Sequence, residues 1–178
     1  MSIRETIRET KNHPFGKVQG VGETLSLIGD PAILEIPLLA VFGSSRCPAR
    51  KMLQAHDLAH EWRHGKRGII SGFHSPVEKE ILTVLLGGTC PLVMVLGRGL
   101  EGLHIPVPWR IPLEQGRIVL VSPFDWKLKR PTIETAEKRN HFVADIADDI
   151  LVIYAAEGGH LASQIKIWEN AGKRIQRL

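Results

Sequence analysis

Two kinds of hydrophobic segment alternate along this chain. Short unbroken apolar runs stop at glycine-polar turns, and longer segments with apolar residues at helical spacing follow them. The first run, Leu38-Leu39-Ala40-Val41-Phe42, ends on Gly43-Ser44-Ser45-Arg46. Gly68-Ile69-Ile70-Ser71-Gly72 repeats the pattern, and residues 91–96 repeat it again before leaving through Gly97-Arg98-Gly99. Residues 117–121 and 149–156 supply two more runs, and 174–178 a short sixth. Runs of this length between turn residues predict buried strands of a parallel sheet. In residues 48–64, Met52, Ala55, Leu58, Ala59 and Trp62 share one helical face. Pro76 is placed to open a helix over 77–86. A further helix from Thr132 buries Ile133, Ala136, Phe142, Val143 and Ile146, and a last one spans 160–171 after Gly158-Gly159. The connection holding Pro106, Pro108 and Pro112 around Trp109 and Arg110 has room for at most one helical turn. Residues 25–36 form an apolar lead-in with the turn Gly29-Asp30-Pro31. Residues 1–23 are polar and read as a flexible arm with one short helix near 3–10, ahead of one domain over 24–178. Strands alternating with helices through short turns predict an α/β fold, a doubly wound and mostly parallel sheet, with its ligand crevice at the carboxyl ends of the strands.

Candidate chemistry collects at that edge. A strand feeding a helix leaves helical N–H groups unpaired and adds the positive end of the helix dipole. Gly43, Ser44, Ser45 and Arg46 therefore form a candidate phosphate site, against the plainer reading of a capped helix with a surface arginine. Gly72, Gly97, Arg98, Gly99, Gly158 and Gly159 fall in the other turns, where Arg98 reads either as a ligand group or as an exposed strand-end arginine. The loop over 122–130 sets Trp126 beside Lys127, Lys129 and Arg130, a stacking face among phosphate-binding charges, unless Trp126 folds inward. His56, His60 and His64 recur at i+4 on one helix, but no carboxylate is obviously placed to support them. They read as an exposed polar edge, and neither a metal nor another cofactor is expected.

Composition narrows the picture modestly. At 178 residues, 43% hydrophobic and 24% charged, the chain has the makeup of one globular domain. The net charge of +4 is compatible with a polyanionic partner. Two distant cysteines, Cys47 and Cys90, argue for a reducing cytosol rather than a disulfide framework. No apolar run approaches the roughly 20 residues of a membrane helix, and the start of the chain has no apolar signal segment.

The order of the turns resembles the DNA processing protein A family (DprA, also called Smf). This is a Rossmann-like group related to the "Lonely Guy" phosphoribohydrolases. The resemblance runs from about Leu25 to Arg174 through Gly29-Asp30, Leu39 to Arg46, Ile69-Ile70-Ser71-Gly72 and Gly87-Gly88-Thr89, then Val95 to Leu100, Arg139-Asn140 and Val152-Ile153-Tyr154-Ala155-Ala156. It implies single-stranded DNA as partner in DNA uptake or recombination, delivery of that DNA to a RecA-type recombinase, and no covalent chemistry. By resemblance, Gly43, Ser44 and Arg46 would hold one phosphate, and Gly158 and Gly159 a second. Gly72 would line the crevice, Gly97 and Gly99 would admit a close backbone, and Arg139 and Asn140 would lie over the sheet edge. The chain departs from the family pattern after the second strand. Leu-Ala-Arg-Gly-Ile-Asp is replaced there by Phe73-His74-Ser75-Pro76-Val77-Glu78, and the chain is expected to be a short, divergent member without the usual winged-helix extension. The alternatives are a nucleotide-sensing domain and a nucleotide N-glycosidic hydrolase. The hydrolase signature Pro-Gly-Gly-x-Gly-Thr-x-x-Glu is not met by Glu157-Gly158-Gly159-His160-Leu161-Ala162-Ser163, which lacks its threonine and glutamate. An apolar band on the last helix, Leu161, Ile165, Ile167 and Trp168, predicts a homodimer.

Overall fold

The apolar run from Leu38 forms a strand that is buried at every position, yet its side chains serve two different cores. Leu38, Ala40 and Phe42 point to one face and Leu39 and Val41 to the other, as the two-residue period of a strand requires. In this computed structural model, which describes residues 17–20 and 23–178, that strand lies in an eight-stranded sheet. The strands are β1 (Lys17–Gly20), β2 (Glu23–Gly29), β3 (Leu38–Gly43), β4 (Gly68–Ser71), β5 (Leu92–Val95), β6 (Ile118–Ser122), β7 (Asp149–Tyr154) and β8 (Ile175–Arg177). Their order is β1-β2-β6-β5-β4-β3-β7-β8. From β6 to β8 every pairing is parallel; β1 and β2 are added antiparallel at one edge.

Among the described residues five α-helices cover the two faces: α1 (Ala49–Trp62), α2 (Pro76–Leu86), α3 (Val107–Glu114), α4 (Ile133–Ile146) and α5 (His160–Asn170). One core joins Leu39, Val41, Ile69 and Leu92 to Ala55 and Ala59 of α1 and to Val77, Ile81 and Leu85 of α2. The other joins Ala40, Phe42, Val93 and Val121 to Phe142 and Val143 of α4 and to Ile165 and Trp168 of α5. This is the doubly wound, Rossmann-like α/β sheet of a single domain. The chain runs outward through β3, β4, β5 and β6, then returns to place β7 on the free side of β3. The strand order reverses between β3 and β7, which is where such sheets open a crevice.

The structure differs from the expected elements in several places. The lead-in is a strand, β2, followed by a 3-10 helix over Pro31–Glu35 capped by Asp30. It pairs with β6 through Ser26 to Gly29, an edge addition that local pattern does not encode. The expected arm over 1–23 lies mostly outside the described residues, as does its helix near 3–10; within it, Lys17–Gly20 is strand β1. The proline-rich connection holds the eight-residue helix α3 rather than one turn. Pro106 precedes its first residue and Pro108 sits in the first turn, where no N–H is needed; only Pro112 costs an internal hydrogen bond. The apolar band of α5 is spent within the chain. Leu161, Ile165 and Trp168 are buried, Trp168 against Phe42 at 4.7 Å, and only Ile167 is exposed. The band therefore lends no support to a dimer interface.

Candidate nucleic-acid interface

Two adjoining cavities open on the carboxyl edge of the sheet. The first, about 380 Å³, lies at the β3/β7 reversal between the turn from Gly43 to Arg46, the start of α5 and the first turns of α4. The second, about 530 Å³, lies beyond β4 and β5, between Gly72, Gly97 and Arg98 on one side and Pro131 to Ile133 on the other. His74, Ile133, Ala136 and Arg139 line both, so the two form one trough along the strand ends.

The turns are built locally. Ser75 and Glu78 make a capping box that starts α2, and Thr132 and Thr135 make another that starts α4. The helices α1 and α5, which flank the reversal, begin at Pro48 and Gly159 with no side-chain cap. Gly159, His160 and Leu161 line the first cavity, so the uncapped N-terminus of α5 opens directly into it. Ser44 locks this corner: its N–H donates to the Tyr154 carbonyl at 2.9 Å, and its Oγ accepts from the Ala156 N–H at 2.9 Å.

Under the trough lies a buried polar floor. Glu78 accepts at Oε1 from the Gly43 N–H (3.0 Å) and at Oε2 from the His74 and Ser75 N–H groups (2.8 and 3.2 Å). A carboxylate of the protein thus occupies the Gly43 N–H that a bound phosphate was expected to use. Phe73, buried and held at φ 47°, turns the backbone so that the next two N–H groups face that carboxylate. Arg139 is also buried, with Nε and Nη2 donating to Asn140 Oδ1 at 3.2 and 2.9 Å. Burial pulls its guanidinium down, and the Glu78 charge opposes that shift. Gly72 is the residue that makes room: a Cβ there would lie 2.5 Å from Arg139 Cζ. Asn140 donates to Gln164 Oε1 (2.9 Å), and Gln164 donates to the Glu137 carbonyl (3.1 Å), tying α4 to α5. His160 pairs with Glu137 at 2.7 Å on the rim.

Ten of the sixteen residues singled out from the sequence line the trough. Gly43, Ser44, Ser45, Arg46, Asn140 and Gly159 line the first cavity, Gly72, Gly97 and Arg98 the second, and Arg139 both. Arg46 is exposed and has no salt bridge among the described residues. Arg98 is folded onto its own loop, with Nε on the Gly99 carbonyl and Nη2 on the Glu101 carbonyl, both at 3.1 Å. Gly99, Gly158, Trp126, Lys127, Lys129 and Arg130 line neither cavity. The close approach at Gly99 is to the protein's own chain, because a Cβ there would collide with the carbonyls of Asp125 and Trp126. The Gly99 and Glu101 N–H groups donate to the Leu128 and Trp126 carbonyls, pinning the basic loop to the strand-end loop. Trp126 is half-buried, while Lys127, Lys129 and Arg130 are exposed. Sequence reasoning missed His74, Glu137 and Gln164 as lining residues. The spacing Ser75-x-x-Glu78 was a readable capping signal, but nothing local marks Gln164 as facing α4.

The model of the family described as DNA recombination-mediator protein A matches residues 10–176. No curated protein matches the sequence. Among solved structures the chain is similar to DNA processing protein A (DprA) from Streptococcus pneumoniae, at 17% identity and a TM-score of 0.72 over 86% of this chain. It spans 54% of that protein's chain. It is also similar to DNA processing protein A from Helicobacter pylori, whose structure concerns single-stranded DNA binding, at 17% identity and a TM-score of 0.73 over 99% of this chain and 77% of that one. The molybdenum cofactor carrier protein of Chlamydomonas reinhardtii is similar at 14% identity and a TM-score of 0.54, over 79% of this chain and 76% of that one. At these identities each likeness is one of fold.

Proposed function

The chain belongs to the DNA recombination-mediator protein A family, and from that premise we propose that its strand-end trough binds single-stranded DNA along the sugar–phosphate backbone, without covalent chemistry. The observation that carries the reading is the uncapped start of α5, opening into the crevice where the strand order reverses. Unpaired N–H groups and the positive end of the dipole favour an anion there. Arg46 stands on the facing wall with its charge free for a phosphate. Gly43 is not a direct contact in this reading: Glu78 takes its N–H, and its part is to hold the turn that presents Ser45 and Arg46. Lys127, Lys129 and Arg130 extend the positive surface beyond the second cavity, on the loop that leads to Pro131. Handing the strand to a RecA-type recombinase is the remaining part of the proposal.

Phosphate contacts carry no sequence code, so binding is weak in sequence preference and falls as salt rises. The test is fluorescence anisotropy of labelled single strands over a salt series. Arg46→Ala weakens all sequences alike and flattens the salt slope by about one contact's worth. Wild-type protein that binds no oligonucleotide at low salt, yet binds a mononucleotide and loses it on Arg46→Ala, would replace this reading with the nucleotide-sensing one.

A further inference from the structure

On the sheet face opposite α4 and α5, the second half of α1 carries His56 and His60 one helical turn apart. Their Nε2 atoms lie 3.1 Å from each other, and their rings are tilted by 55° with centroids 4.7 Å apart. The carboxylate that the sequence did not reveal comes from the next helix: Glu80 Oε1 of α2 lies 2.8 Å from His56 Nδ1. That contact keeps the proton on Nδ1 and leaves the His56 Nε2 lone pair facing His60. A carboxylate behind an imidazole is the usual support of a metal-ligating histidine.

We propose that His56 and His60 form a two-imidazole site for a divalent first-row transition ion, with Glu80 as the positioning residue. The geometry fits such an ion. With metal–nitrogen bonds of about 2.05 Å, two nitrogens 3.1 Å apart subtend about 98° at the metal, between the square-planar and tetrahedral angles. Imidazole ligands select copper(II), nickel(II) or zinc over magnesium or calcium, and copper(II) binds tightest of these by the usual affinity order. Among the described residues no third imidazole, thiolate or carboxylate completes the set, so water fills the remaining positions. His60 changes tautomer on binding and gives up a long contact from Arg63 Nη1 to its Nδ1 at 3.4 Å. His64 stands apart, engaged by Arg63 Nε at 3.0 Å and by Thr89. The site is independent of the trough and of what the trough binds.

The experiment is titration of the tag-free chain with copper(II) and with zinc, followed by calorimetry, by thermal melting and, for copper, by electron paramagnetic resonance. One equivalent binds, the melting temperature rises with ion concentration, and the resonance spectrum shows two equatorial imidazole nitrogens. His56→Ala and His60→Ala each abolish that signature, and His64→Ala leaves it intact. Glu80→Gln keeps the two-nitrogen spectrum and weakens affinity about 10- to 100-fold. No saturable binding, or a stoichiometry and spectrum retained in both His56→Ala and His60→Ala, overturns the proposal.

Discussion

Replacing Glu78 by glutamine tests whether the trough floor is held by a charge or merely by shape. The carboxylate makes three hydrogen bonds, two through Oε2 and one through Oε1. A glutamine has one acceptor oxygen. Seated at the Oε2 position, it keeps the His74 and Ser75 N–H groups and turns its amide nitrogen against the Gly43 N–H. The reverse orientation strands two donors, so the first is cheaper. Two bonds to a charged acceptor become bonds to a neutral one, a loss of about 1 kcal/mol each. The Gly43 N–H, buried and now facing another donor, costs a further 1–3 kcal/mol or so. Arg139 also loses the one charge that offsets its burial. The expected destabilisation is about 3–5 kcal/mol, within the range for breaking a buried charged contact. Urea unfolding at neutral pH, followed by tryptophan fluorescence, reads it directly. With a slope of roughly 1–3 kcal/mol/M, the midpoint falls by about 2 M. Glu80→Gln, on the exposed side of the same helix, should lose no more than about 1 kcal/mol. A Glu78→Gln midpoint no lower than that of Glu80→Gln would refute the account of a charge-held floor.

Two further outcomes follow from packing and titration. Gly99→Ala forces the strand-end loop away from the Asp125 and Trp126 carbonyls, so amide hydrogen exchange should quicken at Gly99 and Glu101 while β3 and β7 stay protected; unchanged exchange at both amides would contradict the backbone contact. Burial pushes the Cys90 thiol up to about 11 from an ordinary value of 9.0, so from pH 9 to 11 the unfolded chain releases this proton while the folded chain keeps it, and stability falls with rising pH. Cys90→Ala should remove that part of the slope; an identical slope in the variant would show that the thiol does not contribute.

The alternation of apolar runs and helical segments was enough to determine six parallel strands, β3 to β8, four helices and their doubly wound arrangement. Burial on both faces leaves a strand no polar side, and the helical spacing of Ala55, Ala59 and Trp62 has one way to meet it. The same punctuation located the strand-end edge and eight of the residues that line its trough, and the family resemblance added Arg139 and Asn140. β1 and β2 were not legible, because pairing at a sheet edge depends on a distant strand, β6, and not on local period. The helix α3 was hidden by prolines that are harmless where they stand. At the site, the sequence supplied residue types but not their partners. Glu78, Arg139 and Gln164 owe their roles to contacts across α2, α4 and α5, and the Gly43 N–H was assigned to a phosphate when a carboxylate 35 residues away already held it. His56 and His60 were visible as a pair, but Glu80, on another helix, became their partner only when α1 and α2 packed side by side. Backbone pattern is a local property of the chain. The pairing of buried polar groups is settled by which elements meet, because each such group must find its complement wherever the fold supplies one.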